Sequence, residues 1–278
     1  MSGDAAVGAA LARAQAQGVA RLDAQLLLGH VLGLPRAWLI AHGEAAVDPG
    51  AAERFRALCR RRAEGEPLAY LLGEKEFRGL LLEVDRHVLV PRPETEGLVD
   101  WALELLAERP PGAAVADLGT GSGAIALAIA QARRDARVSA VERSAQALAL
   151  ARRNGARLGL AVEWLPGDWW APLAGRHLDL AVANPPYIAA GDAHLSALAA
   201  EPMAALSPGP EGLEALRAIV RHAPAHLAPG GWLLLEHGHD QGDAVRAMLR
   251  SAGLQDAATR ADLAGLPRCS AARCVSAA

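Results

Sequence analysis

The chain has 278 residues, of which 28 are basic and 31 acidic, so its formal net charge is −3. This length accommodates one large α/β domain and a smaller one, while the balanced charge argues against a polyanion-binding surface and hence against a nucleic-acid partner. The sequence has no uninterrupted apolar run of about 18 residues, which argues against membrane spans. It also has no basic stretch leading into an apolar core, which argues against secretion and favours the cytoplasm.

The N-terminal region, from Asp4 to Gly73, has a helical spacing of apolar residues and no alternating, strand-like run. Within it, Asp48 followed by Pro49 supplies a helix N-cap and a first-turn proline, which predicts a helix from 49 to 64. We therefore predict that residues 1–73 form a small helical bundle.

The segment from Glu76 to Val90 changes character, because its apolar residues lie largely two apart around the turn-like Asp85-Arg86-His87. This spacing predicts a β-hairpin, and we assign residues 74–90 to a hairpin linker. Pro91 and Pro93 stiffen the chain that follows, and Glu94, Thr95 and Glu96 can cap a helix. A second domain therefore begins near residue 91.

The rest of the chain, residues 91–278, alternates short apolar runs with amphipathic helices after Pro110. This alternation is typical of a parallel sheet with helices on both faces. The predicted strands are 114–118, 138–141, 162–165, 178–182 and 232–235, with a last pair between Ala257 and Val275. We therefore predict an α/β domain with a seven-stranded, mostly parallel sheet.

The first of these strands leads into a glycine-rich loop, Asp117-Leu118-Gly119-Thr120-Gly121-Ser122-Gly123, and the loop leads into a helix. Glycines let the backbone pass close beneath a ligand, and the helix N-terminus offers unpaired N–H groups. Nucleotide, flavin and methyl-donor folds all use such a loop. The G-x-G-x-G spacing lacks the third glycine position of the dinucleotide fingerprint, and no G-x-x-x-x-G-K-[ST] occurs, which disfavours pyrophosphate and triphosphate ligands.

Acidic residues follow the next two strands. Glu142 stands about 20 residues after the loop, where it can accept hydrogen bonds from both ribose hydroxyls of an adenosine ligand. The alternative is that Glu142 only caps the next helix beside Ser144. Farther on, Asp168 can accept from an adenine amino group while Trp169 packs on the ring. The alternative there is a turn aspartate beside two core tryptophans, Trp169 and Trp170.

The fourth strand ends in Asn184-Pro185-Pro186-Tyr187, at the carboxyl edge of the sheet, where ligands bind in open α/β folds. The Pro185 carbonyl and the Asn184 amide oxygen form two acceptors in a rigid frame. A planar NH₂ group fits between them while Tyr187 stacks on its flat face. Such binding raises the electron density on the nitrogen and aims it at a methyl donor, so no strong general base is required. The alternative is a proline-rich turn after a strand.

Three motifs, in this order, resemble those of the release factor glutamine methyltransferases, the HemK/PrmC family. They are Pro91-Arg92-Pro93-Glu94-Thr95-Glu96, the loop from Asp117 to Gly123, and Asn184-Pro185-Pro186-Tyr187. The resemblance covers nearly the whole chain, through Pro67 to Gly73, Glu201-Pro202 and Gly209 to Leu213. It implies a Rossmann-like S-adenosylmethionine-dependent methyltransferase fold, joined by the hairpin to the helical bundle.

The resemblance also implies an activity, namely N5-methylation of the glutamine in the Gly-Gly-Gln motif of class I peptide chain release factors, with S-adenosyl-L-methionine as cofactor. The helical domain would help to dock the release factor. Expected cofactor-binding residues are Asp117, Gly119, Thr120, Gly121, Ser122, Gly123, Glu142, Asp168, Trp169 and Asn184. Expected catalytic and substrate-binding residues are Asn184, Pro185, Pro186 and Tyr187. Glu142 stands where the family commonly has Asp, and its longer carboxylate should still reach the ribose.

Three other functions remain open on the sequence. They are glutamine methylation of a ribosomal protein, methylation of adenine N6 or guanine N2 in a nucleic acid, and a helical interaction module fused to a nucleotide-sensing domain. We expect no metal site, because Pro224 interrupts the helix between His222 and His226, and His237 with His239 lacks an evident third ligand. We expect a monomer that contacts neither nucleic acid nor membrane directly.

Overall fold

The computed structural model describes residues 6–275, so residues 1–5 and 276–278 of the two predicted domains lie outside the described part. The described residues up to Glu74 form one compact unit, and those from Lys75 onward form another. The chain thus separates at the start of the segment for which we predict a linker.

The described part of the first unit contains five helices. They are α1 (Val7–Ala16), α2 (Arg21–Leu32), α3 (Arg36–Ala41), α4 (Pro49–Ala63) and α5 (Leu68–Leu72). The cap expected for α4 is present, since Asp48 Oδ2 accepts a hydrogen bond from the N–H of Ala51 at 3.0 Å. Apolar helix faces meet in a core that includes Leu27, Leu28 and Phe55. The predicted helical bundle is confirmed.

A β-hairpin follows, but its turn is not where the sequence pattern predicts it. Strands β1 (Glu74–Phe77) and β2 (Leu80–Glu83) are joined by Arg78 and Gly79, whose φ angles are 49° and 76°. Two residues with positive φ make the tight turn that matches the twist of a hairpin. The prediction that residues 85–87 form the hairpin turn is therefore wrong, and the hairpin ends at Glu83 rather than extending to residue 90.

The second unit is built on one sheet of seven strands among the described residues, with order β5-β4-β3-β6-β7-β9-β8. Only β9 runs antiparallel to its neighbours. The elements are α6 (Glu94–Ala107), β3 (Ala114–Leu118), α7 (Ala124–Ala132), β4 (Arg137–Glu142), α8 (Ala145–Leu158), β5 (Glu163–Pro166), β6 (Leu178–Ala183), α9 (Met203–Leu206), α10 (Glu214–His222), β7 (Leu227–Glu236), α11 (Gly242–Ser251), β8 (Gln255–Ala261) and β9 (Pro267–Arg273).

Alternate residues along the strands enter two different cores. In β6, Leu180 and Val182 join the cluster that includes α6 and α7, whereas Ala181 and Ala183 join the cluster that includes α10 and α11. This follows from the two-residue period of a strand, which sends successive side chains to opposite faces. The predicted fold, a mostly parallel seven-stranded sheet with helices on both faces, is confirmed.

The direction of strand order reverses at β3, which pairs with β4 on one side and with β6 on the other. Loops that leave the carboxyl ends of these strands diverge at such a switch point and leave a crevice, where open α/β sheets bind ligands. The glycine loop, Glu142 and Asn184 all follow these strand ends. No helix of the described residues combines the length and the apolar character that crossing a membrane requires.

Candidate active site

The glycine loop is a tight backbone turn tied to the neighbouring strand. The N–H groups of Gly119 and Thr120 both donate to the carbonyl of Val141, at 2.9 and 3.0 Å. Gly119, Gly121 and Gly123 have φ angles of 78°, 55° and 86°, which residues with a Cβ rarely adopt. The loop thus depends on glycine for its shape, and it ends at the N-terminus of α7.

Asp117 lies beneath this loop. It is fully buried, and its Oδ2 accepts hydrogen bonds from Thr120 Oγ1 at 2.5 Å and from the N–H of Ala126 at 3.2 Å. Burial raises the pKa of its carboxyl to about 7, because the charged form is poorly solvated there. These contacts connect the strand, the loop and the first turns of α7.

Glu142 lies across the loop at the end of β4. Its Oε2 accepts from the N–H of Gly121 at 3.0 Å, and its Oε1 accepts from the N–H of Ser144 at 2.8 Å. The N-cap of α8 is Ser144 itself, whose hydroxyl accepts from Ala147. Glu142 therefore does more than support the next helix. Each carboxylate oxygen can accept a second hydrogen bond, so the side chain can still accept from a ligand's hydroxyls.

The two adjacent tryptophans occupy different environments. Trp170 is a core residue, with its indole N–H donating to Ile219 and its ring stacked on His226. Trp169 has a φ of 45° and projects over the glycine loop, where a Cβ built on Gly119 would lie 3.0 Å from Trp169 Cζ3. A non-glycine residue with positive φ is uncommon and often marks a functional site. Trp170 therefore matches the core alternative, whereas Trp169 packs against the edge of the same core and also lies over the glycine loop.

The Asn-Pro-Pro-Tyr segment leaves the end of β6 and is anchored at both ends. Asn184 Nδ2 donates to Thr95 Oγ1 at 3.1 Å, so its Oδ1 is the side-chain atom that remains for a ligand. At the other end, the Tyr187 carbonyl accepts from Gln241 Nε2 at 3.0 Å, and the Tyr187 hydroxyl donates to Glu236 Oε1 at 3.4 Å. Burial raises the pKa of the Tyr187 hydroxyl, which therefore stays protonated.

Two motifs that are far apart in the sequence meet beside this segment. The side chain of Glu201 is almost fully buried and forms an ion pair with Arg92. It also accepts a hydrogen bond from the N–H of Val90 at 3.0 Å. The contact fixes the Glu201-Pro202 region against the chain that enters α6, and both Arg92 and Pro202 line the cavity described next.

A cavity of about 420 Å³ connects these features. Its size falls within the range of small-molecule sites. Nine of the residues predicted for the site line it: Gly119, Thr120, Gly121, Ser122, Glu142, Asp168, Trp169, Asn184 and Pro186. Among the described residues, Asp117, Gly123, Pro185 and Tyr187 are not in the lining; Asp117 is hydrogen-bonded to Thr120, which is, and the other three are next to lining residues in the chain.

Sequence reasoning missed two buried polar residues at this site, Thr95 as a contact of Asn184 and Glu236 as a contact of Tyr187. Thr95 belongs to the proline-rich motif that runs into the first turn of α6, so its place in that motif was an available signal. Glu236 is the last residue of β7, an apolar strand next to β6, and an acidic residue at that edge was the only local sign. Within the described part of the chain, no group of three or more His, Cys, Asp and Glu residues is arranged to hold a metal ion.

Comparison with known proteins agrees with this arrangement. Residues 6–73 match the family described as PrmC N-terminal domain, and residues 96–251 match the methyltransferase small domain family. A protein of Xylella fastidiosa named release factor glutamine methyltransferase is 49% identical over 268 residues, which are 95% of this chain and 97% of the relative. The chain belongs to the release factor glutamine methyltransferase family.

Other members of the release factor glutamine methyltransferase family are equally similar. The relative from Bordetella pertussis is 49% identical, and the match covers 91% of this chain and 94% of the relative's length. The one from Pseudomonas aeruginosa is 49% identical, with 90% and 91% covered.

Solved structures share the fold at lower identity. A methyltransferase from Pyrococcus furiosus has a TM-score of 0.53 at 18% identity, over 71% of this chain and 90% of its own. A 16S rRNA methyltransferase of T. thermophilus, solved with AdoMet and guanosine, has a TM-score of 0.55 at 21% identity, over 72% of this chain and 49% of its own. At these identities the likeness concerns the fold alone.

Proposed function

We propose that this family member transfers the methyl group of S-adenosyl-L-methionine to the side-chain amide nitrogen, N5, of the glutamine in the Gly-Gly-Gln motif of class I peptide chain release factors. The observation that carries the proposal is the Asn184 amide, whose Nδ2 donates to Thr95 while the residue itself lines the cavity. The shared name of relatives that match nearly the whole chain supports the choice of glutamine and release factor.

The residues of the cavity fit S-adenosyl-L-methionine. Gly121 has open space above its Cα, so the loop can lie directly against a ligand. Glu142 offers acceptors for ribose hydroxyls, Trp169 an aromatic surface for adenine, and Asp168 an acceptor for the adenine amino group. Further contacts are proposed for Asp117, Thr120, Ser122 and Asn184 and for Gly119 and Gly123. When bound, this cofactor supplies an electrophilic methyl group.

The chain itself orients the glutamine amide. We propose that Asn184 Oδ1 and the Pro185 carbonyl each accept one hydrogen of the NH₂ group, while Pro186 and Tyr187 bound the plane of the amide. Because the two acceptors bond both amide hydrogens, these hydrogens cannot bond elsewhere. The nitrogen is thereby held with its lone pair toward the methyl group. The nitrogen gains the methyl group and loses one proton to solvent water, and S-adenosylhomocysteine is the second product.

The predicted domains receive separate roles in this proposal. The helical domain, residues 1–73, docks the release factor, and the segment 74–90 links it to the methyltransferase domain, residues 91–278. A near-balanced charge of −3 suits a protein substrate better than a nucleic acid. We propose that the enzyme acts as a monomer in the cytoplasm.

A labelling experiment tests this function. The purified protein is incubated with methyl-labelled S-adenosylmethionine and, separately, with a class I release factor, ribosomal protein and DNA. We expect label in the release factor only, and none when its Gly-Gly-Gln glutamine is replaced by alanine. Label in ribosomal protein or DNA but not in the release factor would overturn the proposal.

A further inference from the structure

Two buried polar side chains beside the Asn-Pro-Pro-Tyr segment are not explained by cofactor binding. Thr95, on the first turn of α6, is 4% exposed, and Glu236, at the end of β7, is 1% exposed. Burying a carboxyl group costs free energy unless its surroundings compensate. For Glu236, a hydrogen bond from Tyr187 and the nearby Thr95 hydroxyl offset part of that cost, and both lead directly to the site.

The side chains form a network of polar contacts, two of which are hydrogen bonds. Asn184 Nδ2 donates to Thr95 Oγ1 at 3.1 Å, and the Thr95 hydroxyl lies near enough to Glu236 to oppose the rise in the pKa of its carboxyl. The Tyr187 hydroxyl donates to Glu236 Oε1 at 3.4 Å. One carboxyl group thus connects to the polar groups at both ends of the Asn184 to Tyr187 segment, directly to Tyr187 and through Thr95 to Asn184.

The direction of these bonds determines which atom of Asn184 is presented to a substrate. Thr95 has a single hydroxyl proton, and a carboxylate can only accept. When Glu236 is ionised and accepts that proton, only the lone pairs of Thr95 Oγ1 remain for Asn184, and these can be satisfied by the amide NH₂ but not by Oδ1. A flipped Asn184 amide would place its oxygen against the Thr95 oxygen and leave both without a proton.

We propose that Thr95 and Glu236 are positioning residues for methyl transfer, which hold the Asn184 amide with its oxygen toward the substrate and fix the Tyr187 hydroxyl. The inference rests on the proposed function, because it concerns the acceptor for the substrate amide. Neither residue needs to touch the reacting nitrogen. Thr95 acts through Asn184, and Glu236 acts through Thr95 and Tyr187.

The surroundings of Glu236 suit this role. Arg268 attracts the carboxyl group electrostatically and Glu94 opposes it. Arg268 is itself held by Asp262, since its Nε donates to Asp262 Oδ2 at 3.2 Å. Glu236 Oε2 has no hydrogen-bond partner among the described residues, so Glu236 Oε1, which accepts from Tyr187, carries the hydrogen bond of this side chain.

The test compares two substitutions at one position. Thr95→Val keeps the shape and removes the hydroxyl, whereas Thr95→Ser keeps the hydroxyl. We expect kcat for release-factor methylation to fall about tenfold or more in Thr95→Val and to stay within about threefold of the wild type in Thr95→Ser. The matched control is Thr259→Val, which removes a hydroxyl bonded to Ser270 rather than to Asn184; it should keep wild-type kcat.

Two further readouts separate positioning from general damage. In a double-mutant cycle, Thr95→Val should add less than twofold to the loss caused by Asn184→Ala, because it acts through that residue. The side-chain amide NMR signals of Asn184 should move in Thr95→Val and not in Thr95→Ser. Wild-type kcat and unmoved signals in Thr95→Val would overturn the inference, as would additive losses in the cycle.

Failure of the proposed function gives a different pattern. If the wild-type protein does not methylate the release factor at all, the proposed function fails, and the NMR comparison still tests whether Thr95 holds the Asn184 amide. If the wild type is active and Asn184→Ala is not, but Thr95→Val matches the wild type, only the positioning inference is overturned. If Thr95→Val does not fold, Glu236→Leu gives the same cycle from the other end of the network.

Discussion

Glu142 joins the glycine loop to the start of α8, because its carboxylate accepts from the N–H of Gly121 at 3.0 Å and from the N–H of Ser144 at 2.8 Å. The same side chain lines the cavity. A residue that shapes the loop and is also proposed to contact the cofactor should affect cofactor affinity more strongly than it affects fold stability.

We expect Glu142→Gln to weaken binding of S-adenosylhomocysteine about tenfold. Gln keeps the length, but its NH₂ group cannot accept from a backbone N–H, and the loss of charge weakens each remaining acceptor. Titration calorimetry measures the change. Glu163→Gln is the control, since Glu163 bonds Ser139 and Arg176 outside the cavity. Equal affinities for Glu142→Gln and the wild type would show that Glu142 serves the loop alone.

The contact between Gly119 and Trp169 gives a second prediction. Alanine at Gly119 would meet two penalties, a left-handed backbone that costs about 1 kcal/mol and a Cβ 3.0 Å from Trp169. Gly112→Ala has only the first, because Gly112 has a φ of 84° and nothing within 4 Å of a Cβ. Both variants should melt earlier, but only Gly119→Ala should lose affinity for S-adenosylhomocysteine. Equal affinities of the Gly119→Ala and Gly112→Ala variants for S-adenosylhomocysteine would contradict a role of the Trp169 position in cofactor binding.

A substitution at Asn184 should lower turnover and leave the affinity for S-adenosylhomocysteine nearly unchanged. Asn184→Ala removes one of two proposed acceptors for the substrate amide and none of the contacts of Glu142 or Trp169. We expect kcat to fall by about a hundredfold, while the Kd for S-adenosylhomocysteine stays within about threefold of the wild type. Steady-state labelling and calorimetry on the same preparation measure both. Wild-type turnover in this variant would reject the mechanism.

The buried carboxyl of Glu236 predicts a pH-dependent stability. Burial raises its pKa from 4.5 to about 7, so the folded protein binds more protons than the unfolded chain between these values. The stability that this group contributes is therefore fully present below pH 4.5 and is lost as the pH rises through about 7. Glu236→Gln removes this loss, because its side chain stays neutral.

Melting temperatures at pH 5 and pH 8 check this sign. The melting temperature of Glu236→Gln, relative to the wild type, should be higher at pH 8 than at pH 5. Asp117 has a carboxyl pKa raised to about 7 in the same way, but it is present in both proteins and cancels in the comparison. Glu44→Gln, at an exposed position, should give the same offset at both pH values. A pH-independent offset for Glu236→Gln would contradict the prediction.

Short-range patterns in the sequence were enough for most of the second unit. The first strand was predicted at 114–118 and is Ala114–Leu118, and the predicted run 178–182 became Leu178–Ala183. The pattern failed at the hairpin, where the polar Asp85-Arg86-His87 was a stronger turn signal than Arg78-Gly79. That pair makes the turn because both residues adopt positive φ. An arginine in the sequence does not predict this conformation.

The sequence by itself determined the helical bundle, the alternation of strands and helices, the glycine loop and the Asn-Pro-Pro-Tyr segment, because each depends on residues close together in the chain. Only the tertiary structure decided that Thr95 meets Asn184 across 89 residues and that Tyr187 meets Glu236 across 49. Those contacts arise because β6 lies next to β7 in the sheet and α6 packs on their face. Strand order and helix packing are properties of the whole core, and local periodicity does not encode them.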